Sequence, residues 1–300
     1  MQRHSAITQH NHHVFSFDAI GTSWRIAFDS DIHNLVSIKR RVLRTIEIFD
    51  SQYSRFRDNS LVQVISKGAG YYVLPDTAKP LLLFYKKLYE ITGGAVTPLI
   101  GNLLSDAGYD KDYSLVASML HDVPMWEKTL DYRHPVLRTH IPVLFDFGAA
   151  GKGYLVDIIA ALFNDLEIGA YVVNAGGDIY CKGVLQVALE RPDNTNEAAG
   201  TATITNQSIC GSAGNRRTWG DFTHIMNPYT KQSQVSLAAT WVVADSTMIA
   251  DGLSTALFFT DAHTLKRHFE FEYAVIDVKG RLYCSDKFPA TFFINQARVV

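Results

Sequence analysis

Residues 143–162 read VLFDFGAAGKGYLVDIIAAL. Val143 to Phe147 is a short apolar run that predicts a strand, Gly148 to Gly153 is a glycine-rich turn, and Tyr154 to Leu162 continues with the spacing of a helix. A strand running through such a turn into a helix presents backbone N–H groups and a helix N-terminus to an anion, and Lys152 adds a positive charge there. The spacing is not that of the phosphate loop G-x-x-x-x-G-K-[ST]: Gly148 stands too close to Gly151, and Gly153 follows the lysine. Nor is it the dinucleotide fingerprint. On its own the turn serves structure as readily as it serves a ligand.

Working outward, Val14 to Ser30 alternates apolar and polar residues about Gly21, as a hairpin does. Ile32 to Tyr53 and Pro75 to Ile91 carry helical spacing, and Gly93-Gly94 ends the second. Downstream, Tyr171 to Asn174 predicts a strand stopping at Ala175-Gly-Gly-Asp178. Further strands run to about Val243, with a loop at Gly211 to Asp221, and Ala244 to Phe259 predicts an apolar helix. Phe271 to Asp277 and Arg281 to Cys284 predict a closing hairpin around Lys279-Gly280. Residues 110–140 show weak periodicity broken by Pro124 and Pro135. With helices and strand pairs interleaved and no low-complexity linker, the expected fold is α+β, a single mixed unit over residues 14–300, preceded by a flexible polar tail over residues 1–13.

The 300 residues are 47% hydrophobic and 19% charged, with a net charge of -2, so there is core material but no basic footprint for nucleic acid. Three cysteines, Cys181, Cys210 and Cys284, are too few and too scattered for a disulfide framework or a zinc site. The early histidines (His4, His10, His12, His13) belong to the polar tail and lack fixed ligand geometry. No run reaches the ~20 apolar residues of a membrane span, and no apolar leader segment is seen. The sequence as it stands reads as cytoplasmic, and as periplasmic if it is a mature or truncated form.

Four places carry chemistry. Asp251 lies in an otherwise apolar helix, where a buried carboxylate must be paired, hydrogen-bonded or metal-bound. Thr255 is one turn on, so carboxylate and hydroxyl share a face and offer oxygen ligands to a hard cation such as Mg2+. The plainer reading is that Asp251 bonds a neighbouring backbone group and Thr255 fills core. His224, after a polar loop with Arg216 and Arg217, is a candidate general base or a hydrogen-bonded structural histidine. The turn at Asn174 to Asp178 allows close approach of a ligand to backbone, or is simply tight.

The order of these motifs is more specific than any one of them. The chain resembles the ApbE family of FAD:protein FMN transferases from about residue 16 to residue 285. The resemblance is carried by Phe17-Asp-Ala-Ile-Gly-Thr22, Tyr53-Ser-Arg-Phe-Arg-Asp-Asn-Ser60, Thr92-Gly-Gly-Ala95, the stretch from Asp146 to Asp157, and Val173 to Asp178. It continues through Ser212-Ala-Gly-Asn215, His224 to Pro228 and Ala250-Asp-Gly-Leu-Ser-Thr-Ala256. The resemblance implies a duplicated T-fold enclosing a flavin site, and Mg2+-dependent cleavage of FAD, the substrate. FMN passes to a Thr or Ser hydroxyl of an acceptor flavoprotein through a phosphoester bond, and AMP leaves. It further implies that Asp251, Thr255 and the Ala149 carbonyl hold the metal, and that Asp146 and Lys152 contact FAD. Ile20, Phe56 and Ala95-Val96-Thr97 would surround its rings, Ile225 would line the nucleotide pocket, and His224 would be the base.

Several positions depart from the family pattern: Ile20 stands where methionine is usual, Phe56 where tyrosine is, and Thr97 where aspartate is common. Arg216 replaces an aromatic residue and Lys231 a glycine. These bear on flavin orientation and acceptor choice rather than on the metal. Two alternatives therefore stay open: an FAD pyrophosphatase releasing FMN and AMP, and a flavin-binding protein without catalysis.

Overall fold

A computed structural model of the chain describes residues 12–29, 35–215, 217–234 and 236–293. Strands β1 (His12–Ala19) and β2 (Thr22–Asp29) form the expected hairpin, with Ala19 opposite Thr22 and the alternate residues Trp24, Ile26 and Phe28 buried. Its turn places Ile20 at φ 45° and Gly21 at φ 73°. Glycine enters that region freely, whereas a β-branched residue does so against its own sterics. The expected tail, residues 1–13, lies outside the described residues except for His12 and His13, which belong to β1.

Helix α1 (Leu35–Tyr53) buries Ile38, Val42, Ile46, Phe49 and Tyr53, the stripe anticipated from their spacing. Helix α2 (Leu61–Ile65) starts at Ser60, whose side chain accepts from the Gln63 N–H. Strand β3 (Gly70–Val73) and helix α3 (Ala78–Ile91) follow, and the chain turns away where Gly93 and Gly94 take φ 60° and 90°. Next come a 3-10 turn at Pro98–Ile100 and helices α4 (Gly101–Asp106) and α5 (Trp126–Thr129). Strands β4 (Leu130–Arg133) and β5 (Val136–Thr139) pair with β3 in the order β3-β5-β4.

Helix α6 (Gly151–Asp165) leads into β6 (Ala170–Ala175) and β7 (Asp178–Lys182), joined at Gly176-Gly177 as expected. Then come β8 (Val184–Glu190), β9 (Ala198–Thr205), β10 (Ser208–Ala213), the short β11 (Thr218–Trp219) and β12 (Phe222–Thr223), and β13 (Leu237–Ala244). Helices α7 (Thr247–Ala256) and α8 (Ala262–Lys266) precede the closing β14 (Glu272–Asp277), β15 (Leu282–Cys284) and β16 (Ala290–Phe292).

The main sheet is antiparallel throughout, in the order β1-β2-β6-β7-β10-β13-β14-β15; β8 and β9 make a small sheet with β16. Helix α6 packs on β6 and β7, α7 on β10 and β13, and the two helices pack on each other. Their approach has no slack: a β-carbon on Gly153 would stand 2.3 Å from the Thr247 carbonyl oxygen and 2.7 Å from the Asp251 β-carbon. Only glycine fits that crossing, which brings the start of α6 against the middle of α7. The mixed α+β class is as expected.

Three expectations fail. Val143 to Phe147 is not a strand: Val143 and Phe145 are buried in alternation, but its backbone bonds are an isolated one from Asp146 N–H to the Pro98 carbonyl and turn bonds from the Ala150 and Gly151 N–H groups to the Phe147 carbonyl, with no ladder. An extended apolar segment lacking a ladder partner keeps the period of a strand without being one. The second concerns Ala244, which ends β13; α7 begins three residues later, where the Ser246 side chain accepts from the Ile249 N–H. Strand and helix are both largely buried, and the boundary is marked by the polar run Asp245-Ser246-Thr247, with Asp245 exposed and Ser246 as the cap. The third is the loop at Gly211 to Asp221, where β10 runs on to Ala213 and β11 takes Thr218–Trp219.

Candidate active site

A cavity of about 620 Å³ opens where the α6 and α7 crossing meets the β1–β2 turn, the start of α4 and the loop around His224. Every residue the sequence singled out lines it: Ile20, Phe56, Ala95, Val96, Thr97, Asp146, Ala149, Lys152, His224, Ile225, Asp251 and Thr255. Arg216 lies outside the described residues.

Asp251 is buried, and its Oδ2 accepts from the Gly153 N–H at 2.9 Å. That is the plainer sequence reading, and it has a consequence. In a regular helix this N–H would bond the carbonyl four residues back, that of Ala149. Diverted to Asp251, it leaves the Ala149 carbonyl with no hydrogen bond among the described residues. The hydroxyl of Thr255, a turn beyond Asp251, has among the described residues only a long 3.5 Å contact with the Ser212 Oγ. Ser212 bonds Ser254 at 2.7 Å, and Ser254 bonds back to the Asp251 carbonyl at 2.8 Å, which ties β10 to this turn of α7.

Lys152 Nζ stands 2.7 Å from Asp178 Oδ2 and 3.7 Å from Asp251 Oδ2. Burial pushes the Asp251 carboxyl upward and the nearby Asp178 carboxylate pushes it further, with Lys152 and the Gly153 N–H only partly opposing them. Burial works to lower the Lys152 ammonium, but Asp178 and then Asp251 outweigh it and hold it charged. Around Lys152, two carboxylates thus share one cation, a local imbalance that a divalent metal would relieve. A carboxylate, a hydroxyl and a free carbonyl are the hard oxygen donors Mg2+ prefers, so the residues fit that ion.

A residue outside the cavity lining holds this arrangement. Asp157, on α6, accepts at Oδ1 from the Thr247 N–H (2.7 Å) and at Oδ2 from the Met248 N–H (3.0 Å) and the Ser246 hydroxyl (2.7 Å). It therefore caps α7 from a neighbouring helix. Asp157→Ala should destabilise the protein by about 2 kcal/mol, the scale of hydrogen bonds to a charged group, read as a Tm several degrees lower. An unchanged Tm would show that water replaces the cap.

Elsewhere in the cavity wall, Asp146 Oδ2 accepts from Arg55 Nε and Oδ1 from the Gly148 N–H at 2.7 Å. Arg55 is 3% exposed, and its guanidinium lies 4.1 Å from the Phe56 ring centroid and 4.8 Å from that of Tyr109. Its Nη2 is enclosed with no partner among the described residues. Thr97 is buried and its hydroxyl accepts from the Leu99 N–H at 3.2 Å, capping the 3-10 turn. Arg55, Asp178 and Ser212 all lay within the motif stretches but were not singled out. Their neighbours across the cavity come from distant parts of the chain, which no local pattern reveals.

His224 is held by its own N–H, which donates to the Arg217 carbonyl, and its Nδ1 is enclosed with no partner among the described residues. Burial lowers its pKa to about 4, and the Arg217 charge works in the same direction. The imidazole is therefore neutral at neutral pH and able to accept a proton.

The ApbE family's sequence profile matches residues 20–277. The chain belongs to the ApbE family. An FAD:protein FMN transferase of Haemophilus influenzae is 30% identical over 233 residues, covering 70% of this chain and 66% of that one. One of Klebsiella pneumoniae is 22% identical over 270 residues, covering 81% and 77%. The chain thus spans about two thirds of the first relative's length and three quarters of the second's. Among solved structures, the flavin transferase ApbE from Vibrio cholerae superposes with a TM-score of 0.78 at 20% identity, covering 93% of this chain and 98% of that one. The ApbE protein from Thermotoga maritima gives 0.82 at 19% identity, covering 92% and 97%. These two likenesses establish the ApbE fold. No helix among the described residues is long and apolar enough to cross a membrane.

Proposed function

We propose that this chain is an FAD:protein FMN transferase, acting through residues 14–300 as one unit. It moves FMN from FAD to a Thr or Ser hydroxyl of an acceptor protein through a phosphoester bond. The observation that carries the reading is the unbonded Ala149 carbonyl beside Asp251 and Thr255, in the same cavity as a neutral His224. Asp251, Thr255 and that carbonyl would hold Mg2+, which when bound neutralises charge on the pyrophosphate.

The chain's own groups supply the rest. Lys152, held charged by Asp178, brings a fixed cation to the pyrophosphate end, whereas the Gly151 and Gly153 N–H groups at the start of α6 are already given to the Phe147 carbonyl and to Asp251. His224 takes the proton as the acceptor oxygen bonds to the FMN phosphorus. The bond from that phosphorus to the bridging oxygen breaks, and its electron pair leaves with AMP. Little covalent work falls to the protein; alignment and charge do most of it.

The test is incubation with FAD, Mg2+ and candidate acceptors that carry an accessible Thr or Ser. Flavin should become covalently attached to the acceptor, with one AMP released per attachment. Free FMN without protein-bound flavin makes the chain a pyrophosphatase instead, and intact FAD makes it a binding protein.

A further inference from the structure

The segment from Asp110 to Val123 has only weak periodicity, yet it brings Tyr113 to the cavity wall. The Tyr113 ring stacks on Phe56 with centroids 5.4 Å apart and planes 10° apart, while Tyr109 meets both rings edge-on at 5.4 and 5.5 Å. Arg55 already lies over Phe56, so the ring usually given the substrate contact is flanked by this chain's own groups. Tyr113 is the outer member of the stack, 49% exposed. Across the cavity mouth, its hydroxyl lies 3.7 Å from where a β-carbon on Gly21 would stand, in the turn that also carries Ile20.

The placement is built. Tyr113 takes φ 50° and Leu115 φ 53°, a region non-glycine residues rarely enter and that concentrates at functional sites. Hydrogen bonds hold the loop there: Asp110 Oδ1 accepts from the Asp112 and Ser114 N–H groups, both at 3.0 Å, and Leu115 N–H donates to the Gly108 carbonyl at 2.9 Å. Ser118 N–H donates to the Asp106 carbonyl at 2.7 Å. Nothing in these contacts uses the Tyr113 hydroxyl.

We propose that Tyr113 is a substrate-gripping residue: its exposed face stacks on a planar heteroaromatic ring of the dinucleotide, and its hydroxyl does the polar work that Phe56, lacking one, cannot. This rests on FAD being the substrate. The ring is the isoalloxazine or the adenine, both flat enough to stack offset on a phenol.

The experiment compares wild type with Tyr113→Ala, Tyr113→Phe and Tyr113→Trp, measuring KM for FAD, kcat for its cleavage, and competition by FMN and by AMP. Tyr113→Ala should raise KM about ten- to hundred-fold, the scale of ring stacking on an aromatic side chain, with kcat changed less than about twofold if stacking is equal in ground and transition states. Tyr113→Phe and Tyr113→Trp, which keep a stacking ring but lose the phenol hydroxyl, should both fall between wild type and Tyr113→Ala. Weaker competition by FMN in Tyr113→Ala places the isoalloxazine on Tyr113, and weaker competition by AMP places the adenine there. An unchanged KM in Tyr113→Ala, or a fall in kcat with KM preserved, overturns the proposal while the transferase reading stands. A wild type that leaves FAD intact overturns both. Because Tyr113 is half exposed, melting curves of the three variants should coincide with wild type, which separates loss of grip from loss of fold.

Discussion

Asp251→Ala should lower Mg2+-dependent FAD cleavage by about 10³-fold or more, since charge neutralisation by a bound metal contributes several kcal/mol to the transition state. The protein should stay folded. Asp251 is buried beside a second carboxylate and is pushed toward its neutral form, so its removal relieves repulsion with Asp178. Lys152 keeps its 2.7 Å contact with Asp178. The Gly153 N–H, losing its acceptor, has the Ala149 carbonyl within the same turn to return to. That return would consume a metal-binding oxygen as well, so one substitution removes two donors. Cleavage followed by chromatography of FMN and AMP, beside a melting curve, gives both readouts. Unchanged turnover would sink the metal assignment, and a lost melting transition would show that Asp251 is structural first.

His224→Ala should slow transfer by about 10²–10⁴-fold, the usual contribution of an oriented base, while FAD binding stays within about threefold by the same criterion. Equal loss of both would argue for a binding role. The pH profile adds an independent check. The folded-state pKa of about 4 lies below the ordinary histidine value of 6.5, so the imidazole charges only in acid. As pH falls, kcat/KM should hold through 6.5 and drop only toward 4, because the free enzyme's base titrates there. Stability follows the same sign: the contribution of neutral His224 is full above 6.5 and is lost as pH falls toward 4, where the unfolded chain has already bound its proton. A limb centred at 6.5 would mean that His224 is exposed or is not the base.

The hairpin about Gly21, the buried stripe of α1 and the glycine stop after α3 were legible because each follows from local sterics or a single period. The twelve residues that the family resemblance implies for a site line one cavity. What stayed hidden was relational. Val143 to Phe147 has the alternation of a strand, but no sequence pattern says whether a partner is present. Arg55, Asp178 and Ser212 matter through neighbours about 90, 26 and 42 residues away, distances that follow from the fold and not from spacing. Tyr113 was unreadable for the opposite reason: its loop has little period to read, being shaped by turn hydrogen bonds and positive φ.

The crossing at Gly153 divides the cavity into two halves that differ in how freely they can change. Around it, a single added carbon meets a carbonyl oxygen at 2.3 Å, and the N–H of that glycine serves the carboxylate, so the reaction chemistry is locked to the packing of two core helices. The ring-binding half rests instead on the β1–β2 turn and the loop bearing Tyr113, with Ile20 and Tyr113 standing outside the buried core. A randomised library confined to Ile20 and Tyr113 should therefore yield many folded clones with altered flavin-analogue preference, whereas one centred on residues 149–153 should return almost only the parent.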